Sequence, residues 1–267
     1  MLFSSHACSF VLVLFLSVSA NAETVRGVHR ELEQANPLAV DLKDCGKYAI
    51  LAKTGITTVP ASVITGDIAV SPITYAAMPG FSFLPPQDQT LSAQITGQAF
   101  AANYGGTVAT ALTIAVGDMQ TAYTDAAGHH NEDASRTNLG GGTLGGDFGG
   151  LTAPLTVGVY TFGSGVIIAD TIYFDGNYDP NSVFIIQMTG SLVHSANIDV
   201  SLVNGAVAKN IFWQIAGNVE VGAGAHLEGI FLVKTELTFI TDSSLTGRVL
   251  TQTACNLQSA TITQPAP

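Results

Sequence analysis

The sequence predicts a single-domain β-solenoid, mostly β with one long helix, and three observations predict it. First, short apolar stretches recur: Ile211-Phe212-Trp213-Gln214-Ile215, Ile230-Phe231-Leu232-Val233-Lys234 and Arg248-Val249-Leu250-Thr251-Gln252 begin units 19 and 18 residues apart, with a looser copy at Phe184. Second, the two ends match each other. Ile50–Gly66 aligns with Phe231–Gly247 at an offset of 181 residues, with seven identities in seventeen. Third, the 267 residues include 28 glycines, and 47% are hydrophobic against only 11% charged. That balance suits a turn-rich β chain with a large core.

A period near eighteen is too short for paired-helix repeats, which need about 33 residues or more. It suits three strands of about six residues per turn. Within a unit the first stretch is apolar on both strand faces, so both faces must be covered. The second alternates (Glu236 out, Leu237 in, Thr238 out, Phe239 in), and so does the third (Ser244 out, Leu245 in, Thr246 out), with Gly247 at the corner. Alternation marks a strand with one wet face.

The elements follow in chain order. Phe10–Val18 is apolar but too short to span a bilayer, and Ala20-Asn21-Ala22 has the small-x-small pattern of a cleavage site. Residues 1–22 are expected to be a signal peptide, 23–44 an N-terminal arm, and 45–267 the solenoid domain. Cys45 and Cys255 remain after the signal; secretion permits a disulfide, and two small apolar core residues are the other reading. From Gly106 to Ala127, Val108, Leu112, Ala115, Met119, Ala122 and Ala126 fall at spacings of three and four, which predicts a helix lying against the apolar first face. Gly128 can end it. Leu139–Gly150 (LGGGTLGGDFGG) reads as tight turns capping one solenoid end. Pro79, Pro85, Pro86, Pro154 and Pro180 punctuate the chain between coils.

Grouped chemical residues are sparse. His129-His130-Asn131-Glu132-Asp133 could bind a metal or form a solvated loop after the helix. The Gly-rich stretch lacks the Lys-Ser/Thr of a phosphate loop. Gly163-Ser164-Gly165 lacks the spacing of a nucleophile elbow. Asp170, Asp175 and Asp179 come nearest to the carboxylates that a sugar-acting solenoid needs, yet strand and turn spacing scatters them. No catalysis, cofactor or metal is expected. A formal charge of −11 argues against nucleic acid or an anionic membrane as partner.

The wet faces remain. Outward positions on the second face are expected at Gly55 and Thr57, Thr171 and Tyr173, Ser191 and Val193, Asn218 and Glu220, Glu236 and Thr238, and Ala254 and Asn256. On the third they are expected at Val63 and Thr65, His226 and Glu228, and Ser244 and Thr246.

These residues carry a resemblance. From Tyr48 to Gln264 the chain resembles the secreted ice-binding (antifreeze) proteins of cold-adapted diatoms, fungi and bacteria. The likeness lies in YAILAKTGITTVP (from Tyr48), ITGDIAVSP (Ile64), AVGDMQTAYTDAA (Ala115), AKNIFWQIAG (Ala208), LEGIFLVKTELTF (Leu227) and LTGRVLTQTACNLQSATI (Leu245). It implies a right-handed, discontinuous β-solenoid of triangular section, with the N-terminal coil packed beside the C-terminal coils. It also implies ice adsorption mainly on the flat face after the helix-covered one. Here that face is expected to hold Thr54, Gly55, Thr57, Thr171, Ser191, Asn218, Thr238, Ala254 and Asn256. Thr65, Ser244 and Thr246 fall on a secondary face. Tyr173, Glu220 and Glu236 depart from an ideal ice surface and imply moderate strength, or sharing of the work with the third face. The implied protein is secreted and monomeric, with ice crystals as its partner and no enzyme activity. The alternative is an extracellular carbohydrate-binding or adhesive solenoid, which would display aromatic rings; the single Trp213 reads as buried.

Overall fold

A computed structural model describes residues 36–83 and 90–265. The expected signal peptide, residues 23–35 of the expected arm, and Pro85 and Pro86 lie outside the described residues. A compact unit begins at Pro37. Residues 37–44 therefore belong to the domain rather than to an arm: Val40 is buried among helix and sheet residues.

The strands run in chain order. The first coil is β1 (Tyr48–Ala52), β2 (Gly55–Thr58) and β3 (Val63–Thr65), followed by β4 (Asp67–Val70) and β5 (Ala99–Ala101). Helix α1 (Gly106–Gly128) comes next, then β6 (Thr143–Leu144) and β7 (Leu155–Thr156). Two coils follow: β8 (Gly158–Phe162), β9 (Val166–Ile168) and β10 (Ile172–Asp175), then β11 (Phe184–Met188), β12 (Leu192–His194) and β13 (Val200–Val203). The last coils are β14 (Ile211–Ile215), β15 (Val219–Val221), β16 (His226–Val233), β17 (Leu237–Phe239), β18 (Ser244–Thr251), β19 (Ala254–Leu257) and β20 (Thr261–Thr263).

All paired strands are parallel, and they form three faces. The first has the order β5-β4-β1-β18-β16-β14-β11-β8. The second is a seven-stranded sheet, β2-β19-β17-β15-β12-β9-β6. The third joins β13-β10-β7 to the N-terminal halves of β16 and β18 through the bridge Asp199↔His226, and continues to β20 and β3. The solenoid is discontinuous: the first coil stacks on the last, with β1 on β18, β2 on β19 and β3 on β20. The 181-residue self-match follows from this. Ile50 pairs with Val249, and Val249 with Phe231, so the matched residues occupy one column.

β16 and β18 each turn the corner from third to first face at a glycine. Gly229 has φ +115°, and a Cβ there would lie 2.8 Å from the Ile211 carbonyl oxygen. A side chain would be strained and would separate the stacked corners.

The helix covers the first face as its spacing predicts. Leu112, Ala115, Met119, Ala122 and Ala126 pack against Leu51, Ile185, Phe212, Ile230, Leu232 and Leu250. Burying each large side chain contributes roughly 1.5–3 kcal/mol. Gln187 Nε2 ties down the helix end, donating to the carbonyls of Ala126 (2.7 Å) and His129 (2.8 Å). Those carbonyls have no partner within the helix. A second cluster fills the solenoid. There Trp213 stacks on Phe231 with ring centroids 5.6 Å apart, and its Nε1 donates to Glu228 O at 3.0 Å.

Cys45 and Cys255 are free and buried in different clusters, so the core reading of both holds. Burial pushes the Cys45 thiol up to about 12 and the Cys255 thiol up as well.

Candidate functional site

The second face is built by register. The three-residue strands β9, β12, β15 and β17 each point the middle residue out and the ends in. Strand pairing puts Thr57, Asn256, Thr238, Glu220, Val193, Ile167 and Thr143 side by side in one outward rank across all seven strands. Neighbours in such a rank stand about 4.8 Å apart. Beneath it lie two inward ranks, Ile56-Cys255-Leu237-Val219-Leu192-Val166 and Thr58-Leu257-Phe239-Val221-His194-Ile168-Leu144, all buried. A floor packed this way leaves the outward side chains little room to tilt.

Side-chain hydrogen bonds run along the rank. Thr57 Oγ1 donates to Asn256 Oδ1 at 3.0 Å, and Asn256 Nδ2 donates to Thr238 Oγ1 at 3.4 Å. Two residues before the rank, Ser191 Oγ donates to Asn218 Oδ1, and Asn218 N–H donates back to Ser191 Oγ at 3.3 Å. The face thus has a hydroxyl and amide end and an apolar end. At the apolar end Val193 is 41% and Ile167 46% exposed. Glu220 and Glu236 are exposed between the two ends.

The structure brings together Thr57, Ser191, Asn218, Thr238, Ala254 and Asn256 on this face. Thr54 is exposed at the corner before β2, its N–H bonded to Thr253 O at 3.0 Å. Two expected members are corrected. Gly55 pairs with Ala254 but is buried: a Cβ there would lie 2.8 Å from Ala77 O, so the Tyr75–Ala77 turn covers it. Thr171 precedes β10, and Tyr173 within β10 pairs with Ser201 of β13, which puts both on the third face. Neither Thr171 nor Tyr173 shares the rank.

Ile167 and Thr143 take the places the sequence reading missed. The first-face strand of this coil is Gly158–Phe162, so Val166-Ile167-Ile168 is the second-face strand and turns Ile167 outward. Thr143 was absorbed into the Gly-rich stretch, which does close one end of the solenoid: β6 is the last strand of the second sheet.

On the third face Thr65, Thr263 and Thr246 are in register, as are Val63, Thr261 and Ser244. His226 comes next: Nδ1 meets Ser244 Oγ at 2.8 Å and Nε2 meets Glu228 Oε1 at 3.1 Å. The Glu228 hydrogen bond, and then its charge, raise the His226 pKa against desolvation. His194 faces inward, 1% exposed, with neither ring nitrogen bonded among the described residues. Desolvation, then His226, pull its pKa down to about 4.

The remaining candidates resolve into local roles. His129 faces Asp125 (3.8 Å) while His130 faces Glu132 (3.3 Å), so the two rings have separate partners. Asp170, Asp175 and Asp179 each accept a backbone N–H within their own turn, from Thr171, Asn177 and Asn181. Among the described residues no group of three or more His, Cys, Asp or Glu is placed to hold a metal, and no helix is long and apolar enough to cross a membrane.

A sheet face of hydroxyl, amide and aliphatic groups, interrupted by Glu220 and Glu236 and held on a packed solenoid with one face under a helix, defines a β-solenoid surface binder. Comparison with known proteins is specific. Residues 50–263 match the family described as ice-binding-like. The ice-binding protein of Flavobacterium frigoris is 42% identical, over 85% of this chain and 76% of its own length. Ice-binding protein K3-B1 of Typhula ishikariensis is 40% identical, over 97% and 98%. The crystal structure of a glycosylated ice-binding protein from an Arctic yeast superposes with a TM-score of 0.79 at 37% identity, covering 87% of this chain and 96% of that one. The chain belongs to the ice-binding-like family.

Proposed function

We propose that this protein binds ice crystals, with the second face as the principal adsorption surface, and thereby separates freezing from melting, shapes ice and slows its recrystallisation. The observation that carries the reading is the rank Thr57-Asn256-Thr238, bonded strand to strand on a flat face in a chain whose relatives are ice-binding proteins.

The mechanism needs no chemistry. Ice is a rigid lattice of hydrogen-bonding water. A rigid rank of methyl, hydroxyl and amide groups orders its own hydration water, and adsorption merges that layer with the crystal. Thr suits the role because its χ1 is stiff and it presents one methyl beside one hydroxyl. Side chains already held in place lose little entropy on binding. Adsorbed molecules force ice to grow in curved patches between them, and curvature lowers the local freezing point. Glu220 and Glu236 interrupt the rank with long charged side chains, so the expected strength is moderate. The protein acts as a secreted monomer, without catalysis and without a nucleic-acid or membrane partner.

Nanolitre osmometry of the purified protein at sub-millimolar concentration tests this. The expected result is a gap between melting and freezing points with faceted crystals. No gap together with unshaped crystals overturns it.

A further inference from the structure

The third face carries a regular array that the second face does not match. β3, β20 and the first half of β18 are in register, and the bridge Ile64↔Ile95 adds a fourth neighbour. The inward residues of this row, Ile95, Ile64, Ile262 and Leu245, are all buried. Their flanking residues point outward in two ranks. One is Gln94-Val63-Thr261-Ser244; the other is Thr96-Thr65-Thr263-Thr246, four threonines on four neighbouring segments.

Of these eight positions, five are threonine, one serine, one valine and one glutamine, and none is charged. Thr96, Thr65, Thr261 and Val63 are exposed, Val63 at 56%. The array stops where the chemistry changes, at His226 and Glu228, beside Ser244 and Thr246. It spans about 4.8 Å per strand and roughly 7 Å between ranks. Hydrogen bonds fix its edges: Thr96 Oγ1 accepts from the Gly66 backbone N–H at 3.1 Å, and Ser244 Oγ meets the His226 side chain at Nδ1, 2.8 Å away.

The chemistry narrows the partner. Protein interfaces depend on buried aromatic or arginine anchors, and this array has neither. Sugars are gripped by aromatic faces and converging polar groups in a concave site; the eight positions of this array lie on one side of neighbouring strands and include no aromatic residue. A repeat of methyl and hydroxyl groups at strand spacing has a matching partner in a surface that itself repeats.

We infer that the Thr96-Thr65-Thr263-Thr246 array is a second ice-adsorbing surface, engaging ice planes other than those met by the second face. The inference rests on the ice-binding reading above. The two surfaces lie on different sides of the solenoid, so one molecule cannot lay both flat on one crystal face. Two surfaces let the protein occupy two sets of planes.

The test is adsorption of fluorescently labelled protein to a single-crystal ice hemisphere, where the lit zones report the planes bound. Wild type is expected to light at least two sets of planes. Thr65→Tyr and Thr263→Lys, made separately and checked by thermal melting against wild type, each lose one set and keep the other; Thr238→Tyr shows the reverse. The inference is overturned if both third-face variants melt as wild type yet light every plane as it does, or if Thr238→Tyr alone darkens all planes. Wild type that lights no plane overturns the ice-binding reading itself, a result distinct from either.

Discussion

Thr57 and Asn256 stand 199 positions apart in the chain, yet Thr57 Oγ1 donates a hydrogen bond to Asn256 Oδ1 at 3.0 Å across neighbouring strands. The bond exists because the N-terminal coil stacks on the C-terminal one. It also fixes both side chains in an outward orientation, which a surface meeting a rigid lattice needs. Asn256→Ala removes this bond and the one to Thr238. A surface hydrogen bond contributes about 1 kcal/mol, so urea unfolding should change little while thermal hysteresis falls. Unchanged hysteresis means that the side-chain ladder does not set the ordering of water.

Glu220 interrupts the rank between Thr238 and Val193. Glu220→Thr continues it with a stiff, neutral residue of strong strand preference. Hysteresis measured at equal protein concentration should rise above wild type. A fall would show that the carboxylate itself takes part in adsorption.

His194 is a polar group in an apolar rank, among Ile168, Val221 and Phe239. Its folded-state pKa lies near 4, below the usual value, so the folded state binds fewer protons than the unfolded one. Stability is therefore complete above about pH 6.5 and declines as the pH falls toward 4, by about 3 kcal/mol in all. His226 opposes this: its raised pKa stabilises below the unfolded value and loses that effect as the pH rises through the folded one. His194→Leu should raise the melting temperature and flatten the decline between pH 7 and pH 4. A variant that keeps the wild-type acid profile would place the decline elsewhere.

Leu112 anchors the helix on the first face, buried against the sheet residues of that cluster. Leu112→Ala should cost about 2–5 kcal/mol, seen as a lower urea midpoint. Hysteresis of the fraction still folded should be unchanged, because the first face is covered and lies away from the adsorbing ranks. A loss of hysteresis without a loss of stability contradicts that separation.

Much of this was legible in the sequence. The helix was expected from Gly106 to Ala127 and ends at Gly128, because its apolar residues keep the helical period against one partner face. The 18-residue units after Ile211 were legible because their corners are tight and their strands evenly spaced. The match between the chain ends placed Thr57 with Thr238 and Thr65 with Thr246, and both pairs share ranks in the fold. The middle coils were misread where the period stretches. There Asn177, Tyr178, Asn204 and Gly205 adopt positive φ in corner loops that lengthen the coils. With the spacing lost, Thr171 went to the wrong face and Ile167 was overlooked. Gly55 failed for another reason: no local pattern shows that Ala77 returns to cover it.

The most direct test of the central claim is the thermal hysteresis of Thr238→Tyr beside wild type, with melting temperatures measured in parallel. Thr238 lies within the second face, hydrogen-bonded to Asn256 and flanked by Glu220. A ring there lifts the surface off a flat lattice without disturbing the floor below. The account predicts an unchanged melting temperature and the loss of more than half the hysteresis. Hysteresis equal to wild type in the folded variant would contradict it.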